Sequence, residues 1–380
     1  MPQAFDAIVI GLGAHGSAAV YHLAKRGLRV LGLERFDRGH TLGSSGGLSR
    51  IIRLSYYEHP DYVPLLRRAW DLWRELERES GETLLVQTGG LYLGPPEGAL
   101  VPGALLSART HGLVHEELDA TDLRRRYPLF RIEDGWIGIR DEQAGWLAPE
   151  RCIETHLRLA ERHGATLRFG EPARWTRDAG GVRVTTASDT QHAERLVLTA
   201  GAWMPELMPE LAPHLWVERN VLFWFEPRER VVEFARLPVW IMEDVQHGDG
   251  FAAYRMYYGF PYDAAHGLKL AGLHFGDHVD PNVVEREPRA IDEERLRAFM
   301  RRRMPAADGE RRLAKVCMYT NSPDGHFIID RDGDGSVVYA SACSGHGFKF
   351  ASAIGELLAR LIRDESAVPP FLRARRLAPV

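Results

Sequence analysis

The segment Gly11-Leu12-Gly13-Ala14-His15-Gly16 restricts this chain more than any other, because its flanks leave few folds to choose from. Residues 5–10, Phe-Asp-Ala-Ile-Val-Ile, read as a buried parallel strand. Residues 17–26 carry a helical pattern that stops at Gly27, and residues 28–33 form a second apolar run closed by Glu34. This is the strand–turn–helix–strand order of a dinucleotide-binding unit. Gly11 permits the tight turn, Gly13 lets backbone approach a pyrophosphate, and Gly16 lets the helix lie close to the strand. The N–H groups at the helix start then face the pyrophosphate. Glu34, about 20 residues on, offers a carboxylate to ribose hydroxyls. The fingerprint alone does not separate FAD from NAD. The next segment favours FAD: residues 35–53 form a Gly/Ser-rich loop ahead of Arg50-Ile51-Ile52-Arg53, where an NAD domain would continue into a helix. A small-residue loop can pass under an extended cofactor, with Arg35, Ser44, Ser45 and Arg50 in contact with it.

At 380 residues the chain is long enough for two packed domains. The periodicity predicts further helices over 61–79, 113–127, 150–164, 291–304 and 351–363. Strands are expected over 84–92, 166–169, 182–185, 196–199, 220–225, 256–260, 268–273, 327–330 and 337–340. The strand at 196–199 runs into Ala200-Gly201-Ala202, a small-residue turn where such a sheet meets the cofactor again, so Gly201 joins the cofactor contacts. The resulting fold is α/β, with a Rossmann-type FAD-binding domain and a discontinuous α+β substrate domain built on an antiparallel sheet. The expected division is 1–86, 150–216 and 318–380 for FAD, and 87–149 and 217–317 for substrate.

The formal net charge of −4 gives no basic field for nucleic acid or an anionic membrane. Three cysteines, Cys152, Cys317 and Cys343, form no disulfide framework and no zinc-ligand spacing, so no metal is expected. The first apolar stretch is broken by Gly11 and Gly13 and lacks a basic leader, no apolar run spans a membrane, and the C-terminus lacks a peroxisomal address. These readings place the protein in the cytoplasm.

Two further strings carry chemistry. One is Lys315-Val316-Cys317-Met318-Tyr319-Thr320, followed by Pro323-Asp324-Gly325-His326-Phe327-Ile328-Ile329-Asp330. The other is Ser344-Gly345-His346-Gly347-Phe348-Lys349-Phe350, small residues ahead of a helix. With the fingerprint, and with Tyr257-Tyr258-Gly259-Phe260-Pro261 and Gly267-Leu268-Lys269-Leu270, they resemble the monomeric sarcosine oxidase and N-methyltryptophan oxidase family along essentially the whole chain. The resemblance implies a covalent bond from the Cys317 sulfur to the 8α carbon of the flavin, and flavin contacts from Gly345, Gly347, Phe348 and Lys349. It also implies that Arg53 and Lys349 hold a substrate carboxylate, that Tyr258 and Tyr319 line the pocket, and that Lys269 lies over the flavin and activates O2. The implied activity is oxidation of an N-methyl amino acid to an imine that hydrolyses to formaldehyde and the primary amino acid, with H2O2 as co-product. The partners are then a small amino acid and O2, and the enzyme is monomeric.

The chain departs from the family at three places. Gly46-Gly47-Leu48 stands where the family often has His-Gly-Asp. Leu273 stands where the family has a histidine four residues after the lysine, with His274 one place on. The stretch 242–256 is longer than expected and reads as a lid. A bulkier or cyclic amine (N-methyltryptophan, pipecolate or proline, a fructosyl amino acid), a dehydrogenase and a non-catalytic flavin subunit therefore stay open.

Overall fold

The computed structural model describes residues 5–178, 180–248, 251–341 and 343–377. The fingerprint forms as expected. Phe5–Ile10 lies parallel to Val30–Leu33 on one side and to Thr190–Leu198 on the other. Val30–Leu33 pairs in parallel with Thr166–Arg168, and Val337–Ser341 in parallel with Thr190–Leu198. Arg174–Asp178, Gly181–Thr185 and Ile328–Arg331 add antiparallel margins, which completes an eight-stranded sheet. Three amphipathic or apolar helices, Ala14–Lys25, Pro149–Arg162 and Ala351–Leu361, pack against one another beside this sheet. A Cβ on Gly355 would lie 2.5 Å from Ala18, so only glycine allows that helix contact.

A second eight-stranded sheet runs in the order Arg311–Asn321, Trp216–Phe225, Leu268–Gly272, Phe251–Gly259, Val239–Gly248, Gly90–Gly94, Ile137–Asp141, His115–Leu118. It is antiparallel except between Gly90–Gly94 and Val239–Gly248. A three-stranded sheet of Arg50–Arg53, Ala144–Leu147 and Leu85–Gln87 completes the set. The fold is thus α/β, with a Rossmann-type sheet and an antiparallel-rich sheet interleaved along the chain. The strand Arg311–Asn321 runs across the expected domain boundary at 317/318.

The register of the second sheet decides what faces the site. Side chains alternate along a strand, and directly paired residues share a face. Tyr258 pairs with Ile241 and with Ala271, and Trp224 pairs with Lys269. Lys269 and Ala271 therefore share one face, and Leu273 follows one residue past the strand end. Leu222, Trp224, Ala271, Cys317 and Tyr319 form one apolar cluster on that face, with Tyr258 and Leu273 packed against it.

Two expectations need correction. The helix expected over 113–127 is instead the strand His115–Leu118 and the helix Ala120–Arg126. Asp119 caps that helix by accepting from the N–H of Asp122 at 2.8 Å, which fixes its start. The helix Leu100–His111 was not among the expected elements. Pro102 sits in the first turn, where its missing N–H has no partner to lose, and a Cβ on Gly103 would lie 2.6 Å from the Tyr57 carbonyl oxygen. The stretch 242–256, expected as a lid, is the outer part of the hairpin Val239–Gly248 and Phe251–Gly259, with residues 249 and 250 outside the described residues. Asp244 in this hairpin is fully buried and accepts from Arg303 Nε at 2.7 Å and from Arg302, which ties the hairpin to the helix Ala290–Arg303. Among the described residues no helix is long and apolar enough to cross a membrane.

Two histidines are sealed among the packed helices. His156 has neither ring nitrogen bonded, and His22 reaches only Ser352 Oγ at 3.4 Å. Burial pushes His22 down to about 3 and His156 well below the usual 6.5. The unfolded chain takes up these protons near pH 6.5 and the folded chain does not, so stability falls as pH drops below about 6.5. Each histidine contributes a slope of at most about 1.4 kcal/mol per pH unit. The His156→Phe variant should show a shallower decline in melting temperature between pH 7 and pH 5 than the wild type. Parallel declines would place the acid sensitivity elsewhere.

Candidate active site

Residues from both large sheets line a cavity of about 1140 Å³. The dinucleotide turn forms one end. Gly11 has φ +91°, and a Cβ there would lie 2.7 Å from the Thr199 carbonyl oxygen. A Cβ on Gly16 would meet the Gly11 carbonyl oxygen at 1.7 Å, so the helix touches the turn directly. Glu34 is 6% exposed and accepts from the N–H of Leu12 at 2.8 Å and of Phe36 at 3.1 Å. Burial raises its pKa, but His40 and these two N–H donors outweigh burial and hold the carboxylate below its usual range. A buried, ionised acid at the second strand end suits ribose hydroxyls. Two buried polar atoms on the cavity wall, Ser44 Oγ and His15 Nε2, have no partner in the protein, as a cradle for a polar cofactor requires. The residues fit FAD.

The loop 44–50 crosses the middle of the site. Glu150 Oε1 accepts from the N–H groups of Gly47 at 2.7 Å and Leu48 at 3.1 Å. Lys269 Nζ donates to the carbonyls of Gly47 at 2.7 Å and Ser49 at 2.5 Å. The Arg50 guanidinium donates to Ser44 O at 3.2 Å and to Gly46 O, and its Nη2 lies 3.4 Å from Cys317 Sγ. Cys317 and Lys269, 3% and 2% exposed, sit behind this loop rather than on the cavity wall. Burial, and then the Arg50 charge, hold the Lys269 pKa well below the usual lysine value.

At the far end Arg53 and Lys349 meet the cavity together. Arg53 is 3% exposed and donates from Nη2 to both Glu58 oxygens, at 2.6 and 2.7 Å. Tyr56 and Tyr57 stack beneath it, with centroids 4.3 and 4.8 Å from Cζ. Lys349 Nζ donates to His346 O at 2.6 Å, and burial and the Arg53 charge push its pKa down to about 7. Burial would raise the Glu58 pKa, but Arg53, His346 and Lys349 outweigh it and keep the carboxylate ionised. Tyr258 Oη and Tyr319 Oη are 3.4 Å apart on the adjoining wall. Leu273 also lines that wall, whereas His274 does not. His274 takes a left-handed backbone, φ +57°, which ends the strand and turns Nδ1 to Glu218 Oε2 at 2.9 Å. His274 therefore does not stand in for the family histidine.

The model of the family described as "FAD dependent oxidoreductase" matches residues 6–361. The chain belongs to this family of FAD-dependent oxidoreductases. It is 41% identical to a monomeric sarcosine oxidase of Streptomyces avermitilis over 100% of its own length and 99% of that protein's. It is 37% identical to an N-methyl-L-tryptophan oxidase of Salmonella arizonae over 98% and 99%. Among solved structures, NikD, titled an unusual amino acid oxidase essential for nikkomycin biosynthesis, superposes with a TM-score of 0.84 at 25% identity, covering 99% and 98% of the two chains. A glycine oxidase from Geobacillus kaustophilus shares the fold, with a TM-score of 0.78.

Of the site residues expected of this oxidoreductase, Gly11, Gly13, Glu34, Arg35, Ser44 and Ser45 line the cofactor end of the cavity, as does Gly201. Arg50, Arg53, Tyr258, Tyr319, Gly345, Gly347, Phe348 and Lys349 line the remainder. Gly16, Lys269 and Cys317 do not reach the wall. The sequence reading missed Glu58 and Glu150. Glu58 falls on an irregular segment, and Glu150 looks like an ordinary first-turn acid of the helix Pro149–Arg162. Among the described residues no group of three His, Cys, Asp or Glu could hold a metal.

The contact at Gly16 is testable. Gly16→Ala drives a methyl group into the Gly11 carbonyl, and overpacking of this kind typically costs roughly 1–3 kcal/mol. The variant should purify with little FAD and melt several degrees lower. A fully yellow variant with an unchanged melting temperature would mean that the turn and helix are not in contact.

Proposed function

We propose that this FAD-dependent oxidoreductase oxidises the C–N bond of an N-methyl amino acid and passes the electrons to O2. The observation that carries the reading is the pair of buried cations, Arg53 and Lys349, on the cavity wall beside Tyr258 and Tyr319. A planar guanidinium and a compact ammonium suit a carboxylate, and both lie in a low-dielectric setting where such bonds are strong. The balance is R–NH–CH3 + O2 + H2O → R–NH2 + CH2O + H2O2. FAD, when bound, supplies the two-electron acceptor.

The chain's own residues then bind and orient. Arg53 would share its guanidinium between Glu58 and the incoming carboxylate, and Lys349 would add the second contact. Together the cations disfavour a protonated amine nearby, so the substrate nitrogen enters neutral. Tyr258 and Tyr319 border the reacting carbons. Lys269, in its protonated form, would place positive charge near where negative charge develops on oxygen, a form of electrostatic preorganisation. Cys317, whose sulfur lies 3.4 Å from Arg50 Nη2, would be the point of covalent attachment. On this reading the boundaries 1–86, 150–216 and 318–380 enclose the cofactor part and 87–149 and 217–317 the substrate part. The working form is a monomer in the cytoplasm.

Under anaerobic conditions an N-methyl amino acid should bleach the flavin, and in air it should yield H2O2 and formaldehyde in equal amounts. A charge-assisted bond typically contributes about 1.5–3 kcal/mol. Lys349→Met should therefore lower kcat/KM by roughly tenfold to a hundredfold. Its pKa near 7 adds a sign: the cation is lost as pH rises through about 7, so binding of a carboxylate such as acetate should weaken there in the wild type only. Equal activity on a substrate and its amide would refute the clamp.

Acid precipitation tests the attachment. Wild-type holoenzyme should give a yellow pellet, and Cys317→Ala should release its colour into the supernatant. A colourless wild-type pellet would exclude the bond at Cys317.

A further inference from the structure

We infer that Leu273 is a specificity-determining residue, and that the preferred substrate carries an apolar side chain on its α-carbon rather than the bare methylene of sarcosine. This rests on the function proposed above. The first support is register. Lys269 and Ala271 share one face of the strand Leu268–Gly272, and Leu273, one residue past its end, packs on the cluster of Ala271, Cys317 and Tyr319 on that face. Position 273 follows directly on that strand end and lines the cavity. The Leu273 N–H bonds to Met256 O at 2.9 Å, which holds the strand end in place.

The second support is contact. A Cβ built on Gly345 would lie 3.1 Å from Leu273 Cδ1 and 3.0 Å from Tyr319 Cε2, so the leucine methyl, the tyrosine edge and the Gly345 backbone converge. Across the same wall Ile241 is paired with Tyr258. Leu273 and Ile241 face the cavity with hydrocarbon, and the Tyr258 and Tyr319 hydroxyls lie against each other at 3.4 Å. The neighbouring His274 does not line the cavity, and its Nδ1 is held by buried Glu218, which also accepts from Asn220, Asn321 and the N–H of Gly276. Sarcosine would leave this hydrocarbon against water. An aliphatic or aromatic side chain would cover it, with the carboxylate still at Arg53 and Lys349.

The test compares N-methyl-L-leucine with sarcosine on the holoenzyme, by H2O2 production and by anaerobic bleaching. Pocket hydrocarbon contacts discriminate by roughly tenfold to two-hundredfold. Wild type should favour N-methyl-L-leucine by about that factor in kcat/KM, mainly through KM. Leu273→Asn, close in size and polar, should erase most of this preference by lowering kcat/KM on N-methyl-L-leucine far more than on sarcosine. Leu273→Met, which conserves volume, should keep the preference. Higher kcat/KM on sarcosine in the wild type would overturn the inference, as would an equal loss on both substrates in Leu273→Asn. Bleaching by neither substrate would instead overturn the function on which the inference rests, and the two failures are distinct in the same assay.

Discussion

The site depends on one short loop that has no ladder of its own. Residues 44–49, half-buried apart from buried Gly47, carry backbone donors and acceptors that need partners. Three side chains from three parts of the fold pair them. Glu150, at the start of a Rossmann-side helix, takes the N–H groups of Gly47 and Leu48. Lys269, from the antiparallel-rich sheet, gives protons to the Gly47 and Ser49 carbonyls. Arg50, from the loop's own end, closes back on Ser44 and Gly46. The loop thereby fixes the distance between the dinucleotide turn and the sheet that carries Tyr258 and Cys317. Burial of Lys269 without these acceptors would leave an unpaired cation, which costs several kcal/mol. A residue with a proposed role toward O2 is thus also a structural tie. Its replacement should be judged by half-reactions and not by turnover alone.

The second organising fact is alternation. Tyr258, Lys269, Cys317 and Tyr319 come from three strands far apart in sequence, and they converge because paired residues share a face. A one-residue slip of any strand would turn its contribution into the opposite core. That opposite face is packed with Phe223, Phe225, Tyr257, Leu268 and Leu270. The apolar load on the back of the sheet therefore sets the register that presents the polar groups on the front.

Much of this was legible in the chain itself. The fingerprint could be read because each glycine answers a steric demand that no other residue meets, and the contacts at Gly11 and Gly16 are of that kind. The strand carrying Lys269 could be read from its period. The helix Leu100–His111 could not, because Pro102 and Gly103 mimic a turn while the first helical turn tolerates one and close packing on Tyr57 demands the other. The segment 113–127 misled because its polar residues fit a helix as well as an edge strand, and only the partner strand Ile137–Asp141 decides. Glu58 and Glu150 were invisible for a different reason. Glu150 acts on the distant N–H groups of Gly47 and Leu48, and Glu58 reaches back to Arg53 from an irregular segment, so neither pairing follows a helix or strand period. Leu273 was seen only as a departure, and only the folded cavity shows it on the wall.

The charge balance at the clamp follows from the same geometry. Arg53 and Lys349 bring two positive groups together in a buried space, and Glu58 is the only carboxylate hydrogen-bonded to either of them among the described residues. With Lys349 pushed down to about 7, the cluster changes between net positive and neutral around ordinary pH. A carboxylate arriving next to Arg53 restores the missing negative charge and favours protonation of Lys349. The substrate's anion and the lysine's proton are thus linked, each stabilising the other. A neutral ligand of the same shape gains nothing from this exchange and still pays for displacing Glu58 from part of the guanidinium. Selection for the acid over its amide is then a property of three side chains acting as a unit, with Glu58 holding Arg53 in place until the anion comes.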